Sequence, residues 1–389
     1  MLIGIIGAPN KGKSTLFSAL TMASAQIADY PFTTIKPNHG VAYVARECAE
    51  KGLGVKCAPK NSVCVNGLRY VPINIVDVAG LVPGAHLGRG MGNQFLGDAI
   101  AADMLIQVID ATGKTDLHGN PSEVSDPAEE VRMVVNELVY WVAGIVKKHI
   151  SGVARRPDGI RAMHEMLAGL KVSESQISRA IEKSNLTSAN ISWSEQDIEL
   201  FSRTLLKLSK PIVVAANKID VADENALSRI RENLEGYQVV GCSAAIELAL
   251  RKAQKLGVID YQPGATEFKM HGEMSDGQRK ALEYMKGFIS EEDGTGIQQL
   301  LNKVVFETLG MIVVYPVEDE NKYTDHYGNV LPDAMLVKNG STAIELAAMI
   351  HTQIAKGMLY AIDARKKMRV NKEYILNDGD VIKIVSSAK

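Results

Sequence analysis

An α/β fold, interrupted by a block of helices and followed by a small α+β domain, is what this chain predicts. Three observations lead there. A short apolar strand, Leu2 to Ile6, runs into the glycine-rich turn GAPNKGKS (Gly7 to Ser14) and then into a helical pattern from Thr15 to Leu20. Strand–helix alternation stops at about Thr112, gives way to helices alone, and resumes at Pro211. From Met311 onward, short strand signals surround one capped helix. The expected boundaries are 1–111 with 211–309 for a discontinuous α/β domain, 112–210 for the helical insertion and 310–389 for the last domain.

In chain order, Met22 to Gly40 reads as a polar loop holding Pro31-Phe32-Thr33-Thr34, and Val41 to Ala45 as a strand. Residues 46–69 form a Cys- and Gly-containing insertion with no predicted shape. Ile73 to Asp77 is a buried strand ending in Asp77-Val78-Ala79-Gly80. The glycines that follow (Gly84, Gly88, Gly90 and Gly92) need outside contacts to become ordered. Asn93 to Ala102 reads as a helix and Met104 to Asp110 as a strand. Asp126-Pro127 caps a long helix with Val131, Val134, Leu138 and Val142 on one face, and Ser194 opens another bearing Ile198, Phe201 and Leu205. No heptad is sustained, so a small bundle is expected. Ile212 to Ala216 and Tyr237 to Gly241 are strands, and Gly296 to Leu309 is helical. In the last domain, Met311 to Val317, Met335 to Val337, Tyr360 to Ala364 and Val381 to Val385 read as strands, with a capping box at Thr342 and Glu345.

The chain has 389 residues, 46% of them apolar, and a net charge of −2. That balance excludes nucleic-acid binding through a global basic excess, leaving local patches. No apolar run is long enough to span a bilayer, no signal peptide precedes the first strand, and four cysteines do not make a disulfide scaffold. A cytoplasmic protein without a membrane partner is expected.

The turn fits GxxxxGK[ST] at Gly7, Gly12, Lys13 and Ser14. Backbone N–H groups from Asn10, Lys11, Gly12 and Thr15 would close around phosphates at a helix N-terminus. Lys13 would reach the terminal phosphates, and the Ser14 hydroxyl would ligate Mg²⁺. Asp77, at a strand end, would hold the metal, and the Gly80 N–H would meet the terminal phosphate. The deciding stretch is Asn217-Lys218-Ile219-Asp220. The Asp220 carboxylate can accept from guanine N1–H and its 2-amino group together, whereas adenine would leave it unpaired. Asn217 would buttress the loop and the Lys218 stem would cover the base. Ser243-Ala244 would supply a backbone N–H to guanine O6. Four motifs in order, each at a strand end, indicate a guanine-nucleotide-binding domain taking GTP and GDP.

These motifs, with DVAGLVPGA from Asp77, GMGNQFL from Gly90 and LPDAMLVKNGSTAIELAAMIH from Leu331, resemble the YchF subfamily of Obg-related GTPases in its archaeal form with a C-terminal TGS domain. The resemblance implies a Ras-like P-loop NTPase domain with an inserted helical domain and a ubiquitin-like β-grasp domain. It also implies association with ribosomes or ribosomal RNA. Many members lack an intact NKxD and prefer ATP, so ATP hydrolysis is the alternative activity. By matching position, Thr34 (with Thr33 as fallback) would complete the Mg²⁺ shell. Leu81 stands where Ras-like enzymes carry a water-orienting Gln, so slow hydrolysis, or nucleotide sensing with negligible turnover, is expected. His86 in the glycine-rich loop is either a solvated loop residue or a catalytic group. Asn10 is the type found in K⁺-stimulated relatives.

Two weaker signals remain. Cys48, Cys57 and Cys64 invite a metal reading, but they lack paired knuckle spacing and need a fourth ligand. His39 is the nearby candidate that is not a carboxylate; free thiols or a labile disulfide are the alternatives. Arg365, Lys366, Lys367 and Arg369 form a basic cluster that is either a solvated hairpin or an RNA backbone contact.

Overall fold

The computed structural model describes all residues except 23–37, 79, 89–91, 155, 157, 188–191 and 388–389, with backbone alone at 92–95. Thr33, Thr34 and Gly90 thus lie outside the described residues. The chain forms two compact units, one of Met1–Met22 and Asn74–Leu300, the other of Val41–Ile73 and residues 301–387.

The first unit is built on parallel strands. β1 (Leu2–Ile6) follows the apolar run of the sequence, with Ile3, Ile5 and Ile6 fully buried. Two strands precede the next one in the chain, β2 (His39–Glu47) and β3 (Val63–Val65). The last residues of β4 (Leu68–Asp77) pair with β1, which also pairs with β5 (Met104–Asp110); β6 (Ile212–Asn217) and β7 (Gln238–Cys242) extend the order. Register places Ile5 beside Asp77, and Asp110 beside Asn217 and then Cys242. The chemistry-bearing residues therefore emerge together at the carboxyl ends of the strands, the ligand side of such a sheet. β6 keeps the expected start and runs one residue further, to Asn217 itself.

Helix α1 (Lys13–Met22) begins on the phosphate-loop lysine. Two positions before it admit only glycine. Gly7 has φ +146° and a Cβ there would lie 2.4 Å from the Val108 carbonyl oxygen. Gly12 has φ +92°, and its Cβ would lie 2.2 Å from Asn217 Nδ2. After α2 (Ala49–Leu53) in the second unit, α3 (Gly92–Ala101) precedes β5. The long helix α4 (Pro127–Val153) is capped as expected, Asp126 accepting from the Ala128 N–H with Pro127 behind it. Its stripe Val134, Leu138, Val142 and Val146 packs with Ile198, Phe201 and Leu205 of a helix over Glu195–Ser209. Ile6, Val76 and Leu105 of the sheet belong to the same cluster, so these helices share the core of the sheet. The unit also holds helices not read from the sequence, among them Ala226–Asn233, Ala244–Lys255 and Asp276–Glu291.

In the second unit, Met311–Val317 and Val381–Ser386 run parallel at the centre of a five-stranded sheet. Met335–Lys338, Met358–Asp363 and Met368–Val370 complete it. The helix Ala343–Ile350 opens with the predicted Thr342–Glu345 capping box and buries Leu346 and Ala347 against Val314, Val337 and Ile382. The 46–69 insertion does take a shape: α2, then β3 in an antiparallel hairpin with β4. Its three cysteines gather with Glu50, not with His39 as the fourth group. Glu50 sits in the first turn of a helix whose N-cap is Cys48, a closeness set by a helix the sequence did not announce.

Candidate nucleotide-binding site

The phosphate loop is held ready from beneath. The Lys13 side chain is buried, and its Nζ donates to the Ala8 carbonyl at 2.8 Å. Burial holds its pKa below the usual lysine value. Ser14 Oγ donates to Asp77 Oδ2 at 3.0 Å, while Asp77 Oδ1 is buried without a hydrogen-bond partner. Desolvation pushes the Asp77 carboxyl above its ordinary range. A hydroxyl and a carboxylate, one of whose oxygens is orphaned, make a hard-donor pair that fits Mg²⁺. Gly80 lies against Pro9, where a Cβ would come within 3.1 Å of the ring and of its nitrogen. Leu81 is fully buried in the sheet core, and its N–H donates to the Gly7 carbonyl, so its side chain is a packing group.

The base-side loop is tied to the phosphate loop through Asn217. Its Nδ2 donates to the Lys11 carbonyl at 3.0 Å, and its Oδ1 accepts from the Ala244 N–H at 3.0 Å. The N–H expected at guanine O6 is thus held by Asn217 in this structure. Ser243 caps the following helix, its Oγ accepting from the Ile246 N–H. Lys218 takes the left-handed φ of +68° and pairs with Asp110 at 2.7 Å, which leads its stem across the loop. Asp220 is half-buried, and its Oδ1 is fully enclosed without a partner. The Tyr284 hydroxyl donates to the Asp220 carbonyl oxygen at 3.0 Å and so steadies the backbone there.

Several ties behind the loop were not read from the sequence. The Lys11 side chain is fully buried, paired with Glu130 at 3.1 Å and donating to the Thr115 hydroxyl and to the Thr115 and Asp116 carbonyls. What Lys11 offers a phosphate is therefore its backbone. Asn10 Nδ2 donates to the Gly119 carbonyl. Asp110 accepts from Lys218, Thr112 and Thr115, and these bonds hold its pKa low against burial. An acid ending a buried strand is a signal that was available for Asp110; Glu130, in the first turn of α4 beside Glu129, carries no such signal. Burial pushes Glu130 up to about 7 despite Lys11. The native state therefore binds a proton more readily than the unfolded chain, and this group's cost is relieved as pH falls from about 7 towards its ordinary value. Chemical denaturation at several pH values should show wild type gaining stability relative to Glu130→Gln as pH drops from 8 to 5 (roughly the window of that shift). A constant difference would contradict this.

Glu137 on α4 clamps the glycine-rich loop. Its oxygens accept from the Gly84 N–H at 2.7 Å and the His86 N–H at 2.9 Å, and His86 Nδ1 lies 2.7 Å from Oε2. These bonds outweigh desolvation and lower the Glu137 pKa. The His86 ring also lies tilted against that of Tyr140, with centroids 5.1 Å apart. His86 is therefore positioned and not merely solvated.

In the second unit the basic cluster is exposed, and aromatic rings line it. Arg369 lies 3.8 Å over the Tyr360 ring and Lys367 lies 4.6 Å over Tyr323. Lys366 pairs with the buried Asp363 at 2.7 Å, and Arg365 donates to the Gly379 carbonyl.

A parallel sheet that delivers a phosphate cradle and an Asn-Lys-x-Asp loop to the same strand ends defines a P-loop GTPase fold. Residues 2–139 match the family described as 50S ribosome-binding GTPase. Residues 215–319 match the G4 motif-containing domain of YGR210-like Obg-like GTPases, and residues 327–386 match the TGS domain. A GTP-binding protein of Methanocaldococcus jannaschii is 48% identical over 393 residues, covering 100% of both chains. The crystal structure of a GTP binding protein from Pyrococcus horikoshii shares 38% identity with a TM-score of 0.81, covering 99% of this chain and 100% of that one. The ribosome-binding ATPase YchF of Bacillus subtilis is 28% identical, with 97% of each chain covered. The chain belongs to the Obg-like, YchF-type family of GTP-binding proteins, with a C-terminal TGS domain. Among the described residues no helix is long and apolar enough to cross a membrane.

Proposed function

We propose that this protein hydrolyses GTP to GDP slowly and acts as a nucleotide-controlled switch on ribosomes or ribosomal RNA. The observation that carries the guanine reading is the Asn217-Lys218-Ile219-Asp220 loop at the end of β6, tied to the phosphate loop by Asn217 and ending in the half-buried Asp220 carboxylate. Lys13 and the N–H groups at the start of α1 bind the phosphates, and Ser14 and Asp77, with Thr34, hold Mg²⁺. The metal, when bound, neutralises charge on the phosphates. Leu81 cannot orient water. His86, fixed by Glu137, is the loop group that can approach the terminal phosphate as a positioned hydrogen-bonding side chain. Asn10 provides the K⁺ reading.

A second reading, ATP hydrolysis, is favoured by the name of the Bacillus subtilis relative. Nucleotide competition separates the two, and single-turnover hydrolysis with and without K⁺ and ribosomes separates both from a non-hydrolysing sensor.

The ribosome half of the proposal rests on the exposed Arg365, Lys366, Lys367 and Arg369 face and on that same relative's name. Cations ranged with aromatic rings suit a nucleic-acid backbone and unstacked bases. Replacing Arg365, Lys366 and Lys367 with Ala should weaken nucleotide-dependent co-sedimentation with ribosomes and flatten its salt dependence by roughly one counterion per lost contact. GTP hydrolysis by the isolated protein should be unchanged. Identical co-sedimentation at every salt concentration would reduce the cluster to a solvated face.

A further inference from the structure

The geometry points to a structural zinc-class metal site formed by Cys48, Glu50, Cys57 and Cys64, closing the 46–69 insertion. One ligand atom from each residue lies within 4.8 Å of every other. The Cys48 and Cys57 sulfurs stand 3.9 Å apart. Two thiolates about 2.3 Å from one tetrahedral metal stand about 3.8 Å apart, whereas a disulfide needs about 2.0 Å. Glu50 is already drawn in, its Oε2 accepting from the Cys57 N–H at 2.8 Å and its Oε1 lying 3.1 Å from Cys64 Sγ. Three sulfurs and one carboxylate oxygen satisfy a closed tetrahedral zinc site, while Mg²⁺ or Ca²⁺ would want oxygens throughout.

Two further observations support a metal at this place. From Glu50 to Asn61 no residue is buried, so this stretch has no apolar core to order it. Its ties are polar, among them Ala58 N–H to the Val330 carbonyl and Lys60 N–H to the Pro332 carbonyl, and a metal would add the cross-link that offsets the backbone entropy of ordering it. The four ligands are spread so as to do this. Cys48 caps α2 and its N–H is tied to the Gly67 carbonyl, Cys57 lies in the loop, and Cys64 lies in β3. The second observation is Arg69, which faces Cys64 across the hairpin. Its side chain is fully buried. It donates only to neutral oxygens of Ser62 and Leu331, and its Nη1 has no partner. Its hydrogen bonds reach no carboxylate, and Glu50 and Asp333 act on it only through space, so a buried cation here favours a further countercharge. A metal bound by three thiolates and a carboxylate is net anionic and supplies one on the same hairpin.

The test uses the full chain, purified under reducing conditions without chelator. Elemental analysis should find about one zinc per chain. Titration of the reduced, metal-free protein with Co²⁺ should give saturable thiolate-to-metal charge-transfer absorption, displaced by Zn²⁺. Cys64→Ser and Cys57→Ser should each weaken zinc binding at least about tenfold. Glu50→Gln should weaken it while keeping the sulfur charge-transfer band, which separates ligand loss from misfolding. GTP binding by each variant provides an independent check of folding, since none of these residues lies in the nucleotide site. Failure of the reduced wild-type chain to bind either metal stoichiometrically would overturn the assignment. So would metal binding unaffected by the cysteine changes, or a Cys48–Cys57 disulfide in metal-free protein isolated without reductant.

Discussion

Asp220→Asn should reverse the base preference from GTP to XTP by tenfold or more. Guanine presents two donors, N1–H and the 2-amino group, which the half-buried Asp220 carboxylate can accept together. Xanthine carries a carbonyl in place of the amino group, which the native carboxylate would repel. An Asn side chain offers that carbonyl an NH₂ and keeps an oxygen for N1–H. A well-formed bidentate base contact is worth about 1–3 kcal/mol of discrimination, which sets the size of the swing. The phosphate side should not notice, because Lys13, Ser14 and Asp77 make no hydrogen bond to Asp220. Competitive displacement of a labelled nucleotide on both proteins is the measurement. An unchanged ranking in the variant would mean that the loop does not read the base.

Lys13→Ala should remove tight triphosphate binding, on the order of a hundredfold or more for two lost charge-assisted hydrogen bonds. The Lys13 ammonium now rests on the Ala8 carbonyl, within reach of the cradle formed by Gly7 to Ser14. Without it, a buried phosphate loses its fixed countercharge. Ser14→Ala is the comparison. It removes the hydroxyl that meets Asp77 and should raise the Mg²⁺ requirement more than it weakens bare nucleotide binding. Calorimetric titration with a non-hydrolysable GTP analogue, over a range of Mg²⁺ concentrations, distinguishes the two effects. Equal affinity in wild type and Lys13→Ala would withdraw the phosphate role from this loop.

Much of this site is written locally in the chain, for physical reasons that act over a few residues. Gly7 and Gly12 must be glycine because backbone and side-chain atoms stand where a Cβ would be, and that need survives as a spaced pattern. The strands Leu2–Ile6 and Met104–Asp110 are buried on both faces and read as continuous apolar runs. What could not be read depends on register and packing between distant segments. Glu137 reaches His86 and Gly84 only because α4 packs beside the loop. The Lys11 side chain finds Glu130 and Thr115 through the same packing, an internal tie that leaves its backbone facing the loop. The hairpin that sets Cys64 opposite Arg69, and the short helix that brings Glu50 beside Cys57, are likewise invisible to spacing rules for paired knuckles. His39 looked the better fourth ligand only because helix α2 was not foreseen.

The central claim is that this site selects guanine. Its most direct test is equilibrium competition on the unmodified full-length protein, with a labelled GTP analogue displaced by GTP, ATP and XTP in the presence of Mg²⁺. The Asp220 geometry predicts GTP as the tightest competitor, with ATP and XTP each weaker by at least about tenfold, the discrimination of a single good bidentate contact. ATP displacing the label as well as GTP does would contradict the claim and assign this chain the nucleotide preference that the Bacillus subtilis relative's name states.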